Sequence, residues 1–325
     1  MKYLLFFAFS FLLIACSKEI SIEIPQPPPK LVINSLFSPD SMWVVAISRN
    51  AAPDWDSAYT PIVADANVDL CENDILLGKM SYIGNGKYSL PLYPKIGKKY
   101  TIKVSAPNFA EMAEATDSIP IFADSLSASL DTNTLRTYID QNAESVLLNP
   151  LNIYIKDNPN TKNYYRFKAI FYDSCFCQVN SVNGINSLHN DAMDFPIYND
   201  DPYTEKMNPN IFSVYSDDNH FNGQVYNFRL YAATGDYLKF SNYGTGFAVN
   251  TITGEITYAE NVYVELYTDV YSLSEAYYRF SLDYYKQSYN ISDPSATYLN
   301  AYSNVKGGYG LFAGYQRKRT LIYKK

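Results

Sequence analysis

From Leu31 onward the chain alternates apolar and polar residues in short runs, each closed by a turn signal, and this period of two predicts β-strands. Leu31 to Phe37 and Met42 to Arg49 read as a hairpin joined through Ser38-Pro39-Asp40. Asn67 to Cys71 and Lys79 to Ile83 continue the pattern, and Gly84-Asn85-Gly86 supplies positive-φ residues for a tight reversal into Lys87 to Leu90. Within Lys99 to Ser105, Tyr100, Ile102 and Val104 fall on one face. About seven short strands in some 90 residues, uninterrupted by a helical period, predict an immunoglobulin-like or transthyretin-like β-sandwich over residues 31–120. Asp117-Ser118-Ile119-Pro120 is its expected exit.

Residues 124–325 are again expected to be β-rich. Leu151 to Lys156, Tyr164 to Phe171, Val225 to Ala232, Thr251 to Tyr258 and Asn261 to Thr268 are alternating, β-branched or aromatic. One segment changes period: Ser272-x-x-Glu275 has the form of a capping box, and Leu273, Tyr277, Phe280 and Tyr284 recur at helical spacing. The spacing predicts one helix over 272–287, packed on the sheet by its tyrosines. The polar stretch 180–222, rich in Asn, Asp and Pro, reads as a long loop.

The first 30 residues follow other rules. Met1 and Lys2 give a positive start, Tyr3 to Ile14 carries no charge, and Leu13-Ile14-Ala15-Cys16 closes the run. This run of 12 uncharged residues is too short for a helix that must cover a hydrocarbon core, which takes about 20, so residues 1–15 read as a cleaved signal peptide. The closing tetrapeptide resembles the lipobox of bacterial lipoproteins. That resemblance implies lipidation of Cys16, with diacylglycerol on the thiol and acylation (palmitate or a similar chain) of the freed amine. Residues 16–30 hold Pro25, Pro27, Pro28 and Pro29 and are expected to form an extended tether. The Cys-Ser-Lys-Glu start also resembles the signal by which Bacteroidota send lipoproteins to the cell surface, which implies display outward from the outer membrane ahead of a periplasmic location.

Composition narrows the partners. Apolar residues make up 47% and charged residues 18%, with 32 Tyr and 18 Phe, which suits half-buried strands and argues against disorder. The net charge of −7 excludes a broad nucleic-acid surface, which needs a basic stripe. The basic cluster Arg317, Lys318, Arg319, Lys324 and Lys325 reads as a solvated edge strand with protective lysines. Beyond Cys16, Cys71 reads as a buried small residue, while Cys175 and Cys177 are left open in redox state.

The tail from Tyr302 to Tyr315, with Gly307, Gly308, Gly310 and Gly314, is a glycine-punctuated strand where backbones approach closely or φ turns positive. It resembles the carboxy-terminal signature of an uncharacterised family of Bacteroidota outer-membrane lipoproteins that carry a domain of unknown function. Leu31 to Asp40, Gly97 to Thr101 and the helix bearing Tyr277 and Tyr278 fit the same layout. Members are commonly encoded beside TonB-dependent receptors, so the resemblance implies an accessory role in nutrient uptake. It implies no catalytic residue.

Residues suited to chemistry are sparse. His189 lies near Asp191 and Asp194, and His220 follows Asp217, Asp218 and Asn219. A calcium site would use such carboxylates, but neither stretch has the spacing of a calcium loop, and a solvated loop is the plainer reading. Cys175 or Cys177 with a histidine has the composition of a nucleophile pair, though a structural thiol is the plainer reading. No nucleophile elbow, phosphate loop or dinucleotide fingerprint is present, so no cofactor, metal or catalytic residue is expected. Tyr59, Tyr198, Tyr203, Tyr215 and Tyr243 sit in loop-like contexts where a ring can stack on sugar or peptide. The expectation is a non-enzymatic binding subunit beside a TonB-dependent receptor. An envelope-assembly lipoprotein and a surface-anchored hydrolase are the alternatives, the latter needing two carboxyls or a nucleophile and base in one cleft.

Overall fold

A computed structural model describes residues 28–50, 61–139, 145–178, 186–205, 212–234, 246–249, 256–259, 262–290 and 301–324. The architecture is mainly β with one helix in the carboxy-terminal half among the described residues, as the alternation predicts. The first hairpin pairs Leu31–Phe37 with Trp43–Arg49, Leu31 opposite Arg49. The expected reversal is present, with φ of 101° at Gly84, 51° at Asn85 and 71° at Gly86. Lys79 to Ile83 is not one strand. The chain changes sheets at buried Met80, so Ile75–Lys79 edges one sheet of the sandwich and Ser81–Gly84 the other.

The core of this sandwich follows from period two. Leu31, Ile33, Trp43, Val45 and Ile47 point inward from one sheet and meet Leu70, Tyr100, Ile102 and Val104 from the other. Its centre is a ring cluster: Phe37 and Trp43 have centroids 4.6 Å apart, and Trp43 and Tyr100 4.8 Å. Phe312, near the chain's end, completes it 4.6 Å from Phe37.

That last contact reflects the feature that organises the molecule. The 16-residue strand Tyr309–Lys324 pairs parallel with the first strand, from Val32 opposite Tyr309 to Phe37 opposite Gly314. It then continues antiparallel along Val262–Leu273, from Leu273 opposite Tyr315 to Glu265 opposite Lys324. A nine-stranded sheet therefore runs without a break from the first sandwich into the second. Just before it, Val305–Lys306 joins the opposite sheet beside Ala113–Ser118. Residues 305–314 are thus part of the sandwich begun at Leu31, far from it in sequence.

The glycines of the tail permit this return. Gly310 has φ 107°, and a Cβ there would collide with the carbonyl oxygen of Ile33. A Cβ at Gly314 would meet the carbonyl oxygen of Ser118. Arg317, Lys318 and Arg319 lie beyond the part of the strand that pairs with Leu31–Phe37 and have a ladder partner on one side only, Tyr271, Val270 and Asp269, in keeping with the edge-strand reading. Asp269, opposite Arg319, neutralises that guanidinium, and Lys318 lies over the Phe122 ring at 4.3 Å.

In the second sandwich the large sheet continues through Val262–Leu273, Tyr164–Gln178 and Asn186–Phe195. A second sheet holds Ser125–Leu130, Arg136–Ile139, Ser145–Lys156, Val225–Ala232 and Ile197–Asn199. Leu151, Ile153 and Phe228 from one face pack on Phe167, Leu266 and Val270 from the other. The expected long loop 180–222 is in part regular structure: Asn186–Phe195, Ile197–Asn199 and Val214–Asp217 are strands. Backbone pairing is indifferent to polar side chains, so composition concealed them. Residues 179–185 and 206–211 of that stretch lie outside the described set.

The helix spans Glu275–Asn290, shifted from the expected 272–287. Ser272 is not its cap; it lies inside Val262–Leu273 and is fully buried. Ser274 takes that role, its Oγ accepting from the Tyr277 amide at 3.3 Å. Tyr277 and Phe280 pack on Leu311 and Ala313 as the spacing predicts, but Tyr284 is 62% exposed. Tyr278 is buried instead, drawn down by Tyr215 and Leu273, with its hydroxyl donating to Glu205 at 2.6 Å.

Replacing Gly310 with Ala should force a strained φ and a backbone clash at the shared strand, lowering stability by at least about 2 kcal/mol in chemical denaturation. A loss below about 0.5 kcal/mol would mean that the close approach to Ile33 does not hold the fold.

Candidate functional site

The shared strand brings three segments of distant sequence to one place: the exit of the first sandwich, the start of Tyr164–Gln178, and the first turn of the helix. Between them lies a cleft of about 470 Å³. Ile119, Pro120 and Ile121 line it with apolar surface, and Thr161, Lys162 and Asn163 line it with polar surface. Asp117 and Glu275 contribute carboxylates. This volume falls in the range of small-ligand sites, about 300–1,000 Å³.

Asp117 is the electrostatic centre of the junction. Its carboxylate accepts from the Gly314 amide at 3.0 Å, binding the first sandwich to the shared strand. Burial pushes its carboxyl up to about 6, against the opposing pull of hydrogen bonds from Ser274 and from the Ser118 and Gly314 amides. Ser274 is also the helix cap, so one carboxylate ties the sandwich exit, the shared strand and the helix start together.

The polar wall is equally fixed. Lys162 Nζ donates to Asp218 at 2.5 Å and to Asn219 at 2.6 Å. Asp218, 1% exposed, also accepts from the Asn163 amide at 2.7 Å. Asn163 in turn donates to Asp157 at 3.1 Å, and Asp157 takes the Tyr165 hydroxyl at 2.5 Å and the Gly223 amide at 3.0 Å. The Asp217-Asp218-Asn219 stretch is therefore not a solvated loop, because Asp218 is spent inward on Lys162 and Asn163. Among the described residues no three His, Cys, Asp or Glu side chains are grouped to hold a metal ion.

The other candidates are dispersed. His220 is exposed and stacks on Tyr203 at 4.6 Å, away from the cleft lining. Tyr198 and Tyr215 are buried within the fold, so neither presents a free ring, whereas Tyr203 is 37% exposed. Cys71 is a buried free thiol, as its sequence context suggests. Cys175 lies opposite His189 in the strand register, and Cys177 opposite Ser187. Cys16, Tyr59 and Tyr243 lie outside the described residues. Local reading missed Asp117, Lys162 and Glu275, which become neighbours only through the returning strand. The local signals were the expected sandwich exit at Asp117 and the expected helix start at Glu275.

Residues 17–320 match a domain of unknown function, DUF4249. The match spans most of the chain, which therefore belongs to the DUF4249 family. No curated protein matches it.

A raised folded value means that the native state holds the Asp117 proton more tightly than the unfolded chain, whose ordinary value is 3.8. This contribution is fully present below pH about 4 and is lost as pH rises through about 6. Relative to Asp117→Asn, the wild type should lose at most about 3 kcal/mol between pH 4 and 7. Parallel pH–stability curves for the two proteins would contradict the assignment.

Proposed function

We propose that this protein is a lipid-anchored outer-membrane protein, facing the cell surface, that serves a TonB-dependent nutrient-uptake system as a non-enzymatic accessory binding subunit. The observation that carries the anchoring is Cys16 at the end of the uncharged run Tyr3 to Ile14. The tether 16–30, at about 3.1 Å per residue when extended, holds the folded part up to about 45 Å from the bilayer. Among the described residues no helix is long and apolar enough to cross a membrane, and the anchoring reading requires none.

The transporter partnership is supported by the resemblance to proteins encoded beside TonB-dependent receptors. Binding is supported by the cleft, which is bordered by fixed polar groups and by exposed Ile121. The hydrolase alternative draws on one observation: Asp117 and Glu275 line the same cleft, and a carboxyl near 6 suits a catalytic acid. Asp117 is nevertheless occupied by the Gly314 and Ser118 amides and by Ser274, which favours a structural role over proton transfer.

Cys16→Ala should move the protein from the membrane fraction to the soluble fraction and abolish labelling by a palmitate analogue. Retention in the membrane fraction would contradict the anchor. A carboxy-terminal tag, pulled down from gently solubilised outer membranes, should recover a TonB-dependent barrel. Recovery of assembly machinery in its place would favour the envelope-assembly reading.

A further inference from the structure

Beyond the cleft, the outward face of the large sheet carries two rows of charge that are balanced unequally. In the strand register Tyr271 lies between Arg166 and Arg317, and one row on, Asp269 lies between Lys168 and Arg319. Phe167, Ala169 and Val270, which alternate with these residues, belong to the core. The two rows therefore face away from it.

The second row neutralises itself. Asp269 is fully buried and takes Nε and Nη2 of Arg319 at 2.7 Å each, while Lys168 pairs with Asp194. The first row does not. Arg317 stands 3.8 Å from the same Asp269 oxygen that Arg319 already occupies, and its side chain is 42% exposed. Arg166 is half-buried, and among the described residues its partners are all neutral. Its Nε and Nη2 donate to Ser213 Oγ at 3.0 and 2.8 Å, and its Nη1 donates to the Tyr277 hydroxyl at 3.3 Å. The guanidinium lies 5.7 Å from the Tyr215 ring centre and 5.3 Å from that of Tyr271.

A guanidinium has five N–H donors, and Arg166 spends three of them on these partners. The four cations of the two rows meet two carboxylates, Asp269 and Asp194, on a chain whose overall charge is −7. A half-buried cation without a counter-charge is costly, and fixing it between rings prepares it for one.

We propose that Arg166 and Arg317 form a binding site for the oxyanion of a small soluble ligand, a carboxylate or a phosphate, seated beside Tyr271. The half-burial of Arg166 beneath Tyr215 and Tyr277 suits a small anion better than a flat membrane surface. This site is separate from the cleft, and it stands whether or not the protein works beside a transporter.

The test is isothermal titration calorimetry of the full mature protein in detergent with digalacturonate, glucose 6-phosphate and the uncharged control galactobiose. At least one anion should bind and galactobiose should not. Arg166→Gln combined with Arg317→Gln should weaken binding about tenfold or more, with rising salt weakening the wild type in the same direction. Arg317→Gln alone, at an exposed position, keeps the test valid if the double variant fails to fold, and should weaken binding by several-fold. Absence of binding by both anions, equal binding of galactobiose, or undiminished affinity in a folded variant would overturn the site. Displacement of both anions by phosphatidylglycerol vesicles alone, with direct vesicle binding through Arg317, would overturn the soluble-ligand assignment.

Discussion

The structure depends on one strand pairing with two others that lie far apart in the chain. Tyr309–Lys324 hydrogen-bonds to Leu31–Phe37 along its first part and to Val262–Leu273 along the rest, so two cores share one continuous sheet. Backbone pairing of this kind is directional and closely spaced, and it admits no slippage once one face is buried. Phe312 enters the first core while Tyr323 packs against the second, which fixes the register from both ends. The carboxy terminus is therefore the piece that defines how the two halves meet.

The cleft and the Asp117 junction lie along that seam. Asp117 reaches Gly314 on the shared strand and Ser274 at the head of the helix. The helix packs Tyr277 against Tyr315 of the same strand. The cleft is the space left where these elements converge, and Arg317 stands on the strand that builds them. Desolvating Asp117 costs stability, and the amides and hydroxyl around it offset that cost while holding the junction in one geometry.

Much of the fold was legible from local pattern. Alternation placed Leu31–Phe37, Trp43–Arg49 and Lys99–Ser105 within a residue or so, because each has one face in a core. The turn at Gly84-Asn85-Gly86 and the close-approach role of the tail glycines were legible for the same reason: their conformations admit few other residues. What escaped was non-local. The polar strand Asn186–Phe195 has no apolar period to betray it, and the basic run at 317–319 gave no hint of buried Asp269 opposite. Ser272 imitates a cap in sequence, but its backbone is already committed to a ladder with Tyr165 and Gln316. The cleft was illegible because its walls come from residues 117–121, 161–164 and 273–275, adjacent only after the chain returns.

If the last strand is the common element, the two sandwiches should open together. Native-state hydrogen exchange across a denaturant series tests this directly, by following amides of Leu31–Phe37, Val262–Leu273 and Tyr309–Lys324. These three strands should converge on one opening free energy and one denaturant dependence. Exchange of Leu31–Phe37 through a separate, lower-energy opening, with Val262–Leu273 still protected, would contradict the account.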